Sequence, residues 1–201
     1  MWEKAMKWLH VVVLFIILNF LWLAGTAVGI IVFGVIPSTV AILKLIELPR
    51  IFENNYGYGE LILCYIHYYK EAFKHSKILL FVPIVIEIIA FFELLMISRF
   101  EFLQAIFQIP MIILMVYNLL IVFHICCLAL KINTLTLKNC KLVLLSPLIF
   151  KCSTLFIIVT LVGLVIITIF KPWMFSLLFS TGIYVAYRLI NHDYENCGWL
   201  K

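Results

Sequence analysis

LHVVVLFIILNFLWLAGTAVGIIVFGVIPSTVAILKLI, residues 9–46, decides the fold. One bilayer-spanning helix needs roughly 20 apolar residues, and this run is far longer. Gly25, Gly29, Gly34 and Pro37 punctuate it. Proline is tolerated in the first turn of a helix, where its missing N–H is not needed. The run therefore reads as a helix over about 7–33, a break at Gly34, and a second helix over about 36–48 that opens at Pro37. The second helix is either a short crossing or a re-entrant piece.

The rest of the chain agrees with this beginning. Its 201 residues are 66% hydrophobic and 12% charged. That leaves too few charges to coat a soluble globule, which keeps about a quarter of its residues charged. Lys4 and Lys7 precede the apolar run and Ala24-Gly25-Thr26-Ala27 follows its first half, as in a cleavable leader. The run continues past that point, so a retained membrane segment is expected. The net charge is +5. Basic residues fall between apolar runs and not in a patch interleaved with aromatics, so nucleic acid is not expected as a partner. The cysteines, at 64, 126, 127, 140, 152 and 197, form no CxxC pair and read as small apolar residues.

Segment 49–77 is the most polar. Within it Leu61, Tyr65, Tyr68, Tyr69, Ala72 and Phe73 fall on one helical stripe. Glu60, His67, Lys70, Glu71 and Lys74 take the other side. An amphipathic helix is expected, lying on the membrane surface or packed under the spanning helices. Further apolar runs follow at 78–98, 102–130, 142–170 and 173–190. The expected fold is all-α: one integral membrane domain over 1–201, a polytopic bundle with five or six spanning segments and a cytoplasmic amphipathic helix. With six crossings, thirteen Lys and Arg share one side and only Arg99 and Lys171 lie opposite. With five, the split is eleven to four. Positive residues stay inside, so the cell membrane is the expected location, with a cytoplasmic C-terminus; the six-crossing scheme also keeps the N-terminus inside.

Residues 18–46 resemble the signature of the YesL-like bacterial membrane proteins: an Asn-x-x-Trp pair (Asn19, Trp22), glycines, and a G-x-x-P-[AS]-T-x-A turn (Gly34, Pro37, Ser38, Thr39, Ala41). YKEAFKHS (69–76) and LTLKNCKLVLL (135–145) are similar more loosely. Ser38 stands where alanine is commoner. The resemblance implies a membrane protein of uncharacterised function, found beside carbohydrate-uptake systems. Membrane subunits of a sugar ABC transporter are the partners it implies. It carries no catalytic residues.

Several residues are candidates for a role. Gly25 and Gly29 make a GxxxG run, which lets helix backbones approach closely. Packing within the chain is the first reading and homodimerisation the second. Glu87 sits mid-run in 78–98, where an ionised carboxylate costs at least a few kcal/mol. It reads as hydrogen-bonded to a neighbouring helix through Asn118, Gln108, Tyr117 or Asn19, with a proton or substrate site as the sharper alternative. Asn19, Trp22, Gly34 and Pro37 are singled out by the resemblance, and Lys70 and Glu71 as the polar rim of a docking face. His124 reads as a packing residue. There is no P-loop, no HExxH and no paired metal-ligand spacing. No cofactor, metal or catalytic residue is therefore expected. The expected function is a non-catalytic accessory or scaffold protein in the lipid bilayer; a small transporter or channel is the alternative, and a lipid-acting enzyme follows it.

Overall fold

The computed structural model describes residues 2–30, 33–49, 51–53, 56–75, 82–131, 137–171 and 174–196. Among them are eight α-helices: α1 Trp2–Val28, α2 Val35–Ile46, α3 Tyr58–His75, α4 Val82–Ile97, α5 Glu101–Lys131, α6 Leu137–Ile149, α7 Lys151–Phe170 and α8 Phe175–Asn196. A single 3₁₀ turn, Ile51–Glu53, precedes α3. Among the described residues three stretches are long and apolar enough to cross a membrane: Ala5–Val28, Glu101–Leu130 and Lys151–Phe170. The helical bundle and the membrane class thus follow from the structure as they do from the sequence.

The break in the first apolar run comes earlier than expected. α1 ends at Val28, and Gly29 N and Ile30 N close a turn on Gly25 O and Ala27 O, both at 3.1 Å. Ile30, a β-branched residue, holds φ 56 there, a left-handed conformation such residues rarely adopt. Gly34 caps α2 with φ −83. Its backbone is ordinary, so its role is close approach and not conformational freedom.

The run 142–170 is two helices, not one. Pro147 has no N–H to offer Val143 O, and the Ser146 hydroxyl takes that carbonyl instead at 2.8 Å. The Pro147 carbonyl in turn accepts from Thr154 Oγ1 at 2.9 Å. Phe150, with φ −94 and ψ 63, makes the corner between α6 and α7.

α2 is the centre of the molecule. Ten of its twelve residues are buried, and it packs against α1, α3, α5 and α8. Ala41, Ile42, Leu45 and Ile46 join Leu14, Leu18 and Leu61 on one side. Ile36, Val40 and Leu43 join Leu120, Ile125, Leu128 and Ile190 on the other. At 1.5 Å per residue α2 is about 18 Å long, well short of a hydrocarbon core of about 30 Å.

α3 does not lie apart on a surface. Leu61, Tyr65 and Ala72 of its stripe are buried by the chain itself, Tyr68 and Tyr69 are half-buried, and Phe73 is exposed. Tyr69 Oη donates to Gly25 O at 3.0 Å, which brings the C-terminal half of α3 to the α1–α2 turn. The six-crossing scheme puts that turn outside and segment 49–77 inside; the packing brings the two together. α1 and α8 run antiparallel, since Phe15 meets Tyr184, Asn19 meets Ser180 and Trp22 meets Phe179. The first residues of α1 and the last of α8 therefore share one end of the bundle.

Candidate functional site

The N-terminal candidates form one structural cluster. Asn19, Trp22 and Thr26 are spaced i, i+3, i+7 and so lie on one face of α1. Asn19 is buried, and its Oδ1 accepts from Ser180 N at 2.9 Å. Trp22 Nε1 donates to Thr39 Oγ1 at 3.1 Å, and its ring meets Phe179 at 4.3 Å between centroids. Thr39 Oγ1 passes its own hydrogen to Val35 O at 2.8 Å. Next to it Tyr65 Oη donates to Ser38 Oγ at 3.2 Å. Burial pushes the Tyr65 phenol up to about 12, so it stays a donor at any physiological pH. The Asn-x-x-Trp pair thus ties α1 to α8 and α2, and the Ser38-Thr39 pair ties α2 to α3 and α1.

The glycines make these contacts possible. A Cβ at Gly25 would stand 2.1 Å from Tyr65 Oη, and one at Gly29 would stand 2.2 Å from Gly34 Cα. A Cβ at Gly34 would stand 2.5 Å from Thr26 O. The GxxxG face is therefore occupied within the chain, by α2 and α3. Pro37 is buried in the first turn of α2.

Glu87 lies elsewhere. Asn118 Nδ2 donates to Glu87 Oε2 and to Pro83 O, each at 2.7 Å. One amide group thus fixes the start of α4 to α5. Gln108, Tyr117 and Asn19, the other partners considered for Glu87, are not bonded to it among the described residues; Tyr117 Oη donates to Leu144 O.

The polar rim of α3 is divided. Glu71 Oε2 bonds Lys44 Nζ at 2.8 Å, which ties its partly exposed carboxylate to α2. Lys70 has no ion-pair or hydrogen-bond partner among the described residues.

A further polar cluster, near the end of α8, joins residues far apart in the chain. His124 Nδ1 and Tyr194 Oη share a hydrogen at 2.8 Å, and Phe150 packs edge-on against the Tyr194 ring. Ser153 Oγ donates to Asp193, and Tyr187 Oη donates to Glu47. Spacing gives no sign of these pairs, which lie 40 to 140 residues apart. Serine here faces aspartate and histidine faces tyrosine, which is not the order of a nucleophile–base relay. Among the described residues no three His, Cys, Asp or Glu side chains gather to hold a metal. Between α1, α2, α5, α7 and α8 lies a cavity of about 120 Å³, walled by Trp22, Thr39, Phe123, Ile157, Leu161 and Phe179. Trp22 and Thr39 spend their polar atoms on each other there.

Fold and site together define an all-α protein with three apolar helices of membrane-crossing length among the described residues, most of whose buried polar side chains bond one helix to another. Residues 15–94, from the middle of α1 to α4, match the family model described as "Protein of unknown function, DUF624". That stretch contains Asn19, Trp22, Gly34, Pro37, Lys70, Glu71 and Glu87. No curated protein and no solved structure matches the chain.

Proposed function

We propose that this chain is a non-catalytic accessory or scaffold protein of the YesL-like kind, associated in the membrane with the subunits of a carbohydrate ABC uptake system. It crosses the membrane five or six times, with the C-terminus in the cytoplasm. The supporting observation is the use made of its buried polar side chains. Among the described residues Asn19, Thr26, Ser38, Thr39, Asn118, His124, Ser146, Ser153, Thr154 and Ser180 are the buried polar ones, and each makes a hydrogen bond inside the chain. Polar groups in a membrane interior serve a path for a solute or hold helices together. Thr26 and Ser146 bond within their own helices, Asn19 Nδ2 and His124 Nε2 have no partner among the described residues, and the other bonds tie one helix to another. The antiparallel pairing of α1 and α8 supports two termini on one side.

The test is extraction from native membranes in mild detergent, with quantification of co-purifying proteins. Sugar-transporter membrane subunits are expected at near-stoichiometric yield. Recovery of the chain alone, together with solute uptake by vesicles holding only this protein, would overturn the scaffold reading in favour of a transporter. Reporter fusions at each end test the topology: a cytoplasmic signal is expected at the C-terminus, and at the N-terminus a cytoplasmic signal selects six crossings and an external one five.

A further inference from the structure

Where the α1–α2 turn meets the C-terminal half of α3, a cavity of about 480 Å³ opens at the end of the bundle. Its apolar wall includes Val28, Phe33 and Phe73, and its polar side is Tyr69, Lys70 and Lys74. The volume falls within the roughly 300–1,000 Å³ of small-molecule sites. Lys70 and Lys74 are one helical turn apart and so share a face of α3. Neither has an ion-pair or hydrogen-bond partner among the described residues. Among the described residues no acidic side chain lines the cavity. The nearest carboxylate in sequence, Glu71, is held by Lys44 on α2, and the Tyr69 hydroxyl is held by Gly25 O. The free polarity of the cavity is therefore cationic, and the remainder is hydrocarbon and aromatic.

A ligand that satisfies both parts carries an anion joined to an apolar chain. A free phosphate leaves the Val28–Phe33–Phe73 wall uncovered, and a neutral hydrocarbon leaves two ammonium groups unpaired. We infer that this cavity is a site for an anionic phospholipid, its phosphate between Lys70 and Lys74 and its acyl chain against Val28, Phe33 and Phe73. Charge complementarity and the membrane setting of the chain select the occupant. The second copy of the chain is disfavoured as occupant by the two like charges at the site.

The test is native mass spectrometry of the full chain in neutral detergent, titrated separately with phosphatidylglycerol and phosphatidylcholine of the same acyl chains. Phosphatidylglycerol should be retained about thirtyfold more tightly, as expected for two basic side chains at a lipid headgroup. The double variant Lys70→Gln/Lys74→Gln should lose that preference, and Lys70→Arg/Lys74→Arg should keep it. Lys151→Gln, a lysine on α7 away from the cavity, should leave it intact. Phe73→Ala should weaken retention of both lipids. Millimolar inorganic phosphate should not displace the lipid. Equal retention of the two lipids by the natural chain, an unchanged preference in the glutamine variant, or displacement by phosphate alone would each overturn the assignment, the last in favour of a soluble phosphate. Should the glutamine variant unfold, loss of preference in the folded arginine variant would overturn it as well.

Discussion

α2 and α4 look alike in sequence and live in different surroundings. VIPSTVAILKLI and VPIVIEIIAFFELLMI are short, apolar, and carry proline in the first turn. α2 is buried along almost its whole length; in α4 only Pro83 and Ala90 are. α4 turns Ile86, Ile89, Phe92, Leu95 and Met96 outward and packs principally on α5. In a lipid setting an apolar side chain gains little by leaving lipid for protein, so hydrophobicity does not choose the central helix. Small residues and hydroxyls do. α2 has Ser38, Thr39 and Ala41, with Gly34 before it and Gly25 and Gly29 opposite. α4 has bulky side chains and one polar tie, Glu87 through Asn118.

This contrast can be broken first at its tightest point. Gly34→Leu should abolish recovery of monodisperse protein in detergent, because its Cβ would meet Thr26 O at 2.5 Å and Gly25 O at 2.8 Å. Gly163→Leu, with nothing within 4 Å of its Cβ, should behave as the natural chain on size exclusion. Equal tolerance at the two glycines would refute close approach as the organising device.

Truncating one leucine in each setting gives the next largest effect. Leu43→Ala in α2 removes a fully buried side chain and should cost up to about 3 kcal/mol, the part of such a loss that comes from the cavity left behind and not from transfer out of water. Leu95→Ala in α4, 49% exposed, should cost under about 1 kcal/mol. Unfolding in a graded denaturing-detergent series measures both. A similar cost at the two positions would mean that α4 is buried against something other than lipid.

The polar tie of α4 should be smaller still. Asn118→Ala removes donors to Glu87 and Pro83 and should cost about 0.6–1.7 kcal/mol, with faster hydrogen exchange at the start of α4. Glu87→Gln keeps an acceptor for Asn118 and should stay within about 0.5 kcal/mol of the natural chain. A Glu87→Gln protein that folds and yet fails in the cell would favour the proton-site reading over the structural one.

The smallest effect belongs to the Lys44–Glu71 pair, whose side chains are partly exposed. Glu71→Gln should change stability by at most about 1 kcal/mol, with less effect at high salt. A larger loss would show that α3 is held on α2 by charge more than by Leu61, Tyr65 and Ala72.

Helix identity was legible in the sequence because it depends on neighbours three and four residues away. The apolar runs, the break before Pro37, the stripe from Leu61 to Phe73 and the close-packing role of Gly25 and Gly29 all belong to that range. The division of 142–170 went unread: the run looks continuous by hydropathy, and the corner at Phe150 goes with Pro147 and with the Ser146 and Thr154 hydroxyls donating to the Val143 and Pro147 carbonyls. The partners of Asn19, His124, Tyr187 and Glu71 lie 27 to 161 residues away, where no spacing rule reaches. The sequence by itself determined an all-α chain with membrane-length apolar helices. Only the tertiary structure decided that the shortest apolar helix is the centre, that α3 lies against the α1–α2 turn, and that two lysines stand beside an open apolar wall. Helices form from local backbone bonding, whereas their neighbours are chosen by which small residues admit close contact and which scattered polar groups find each other.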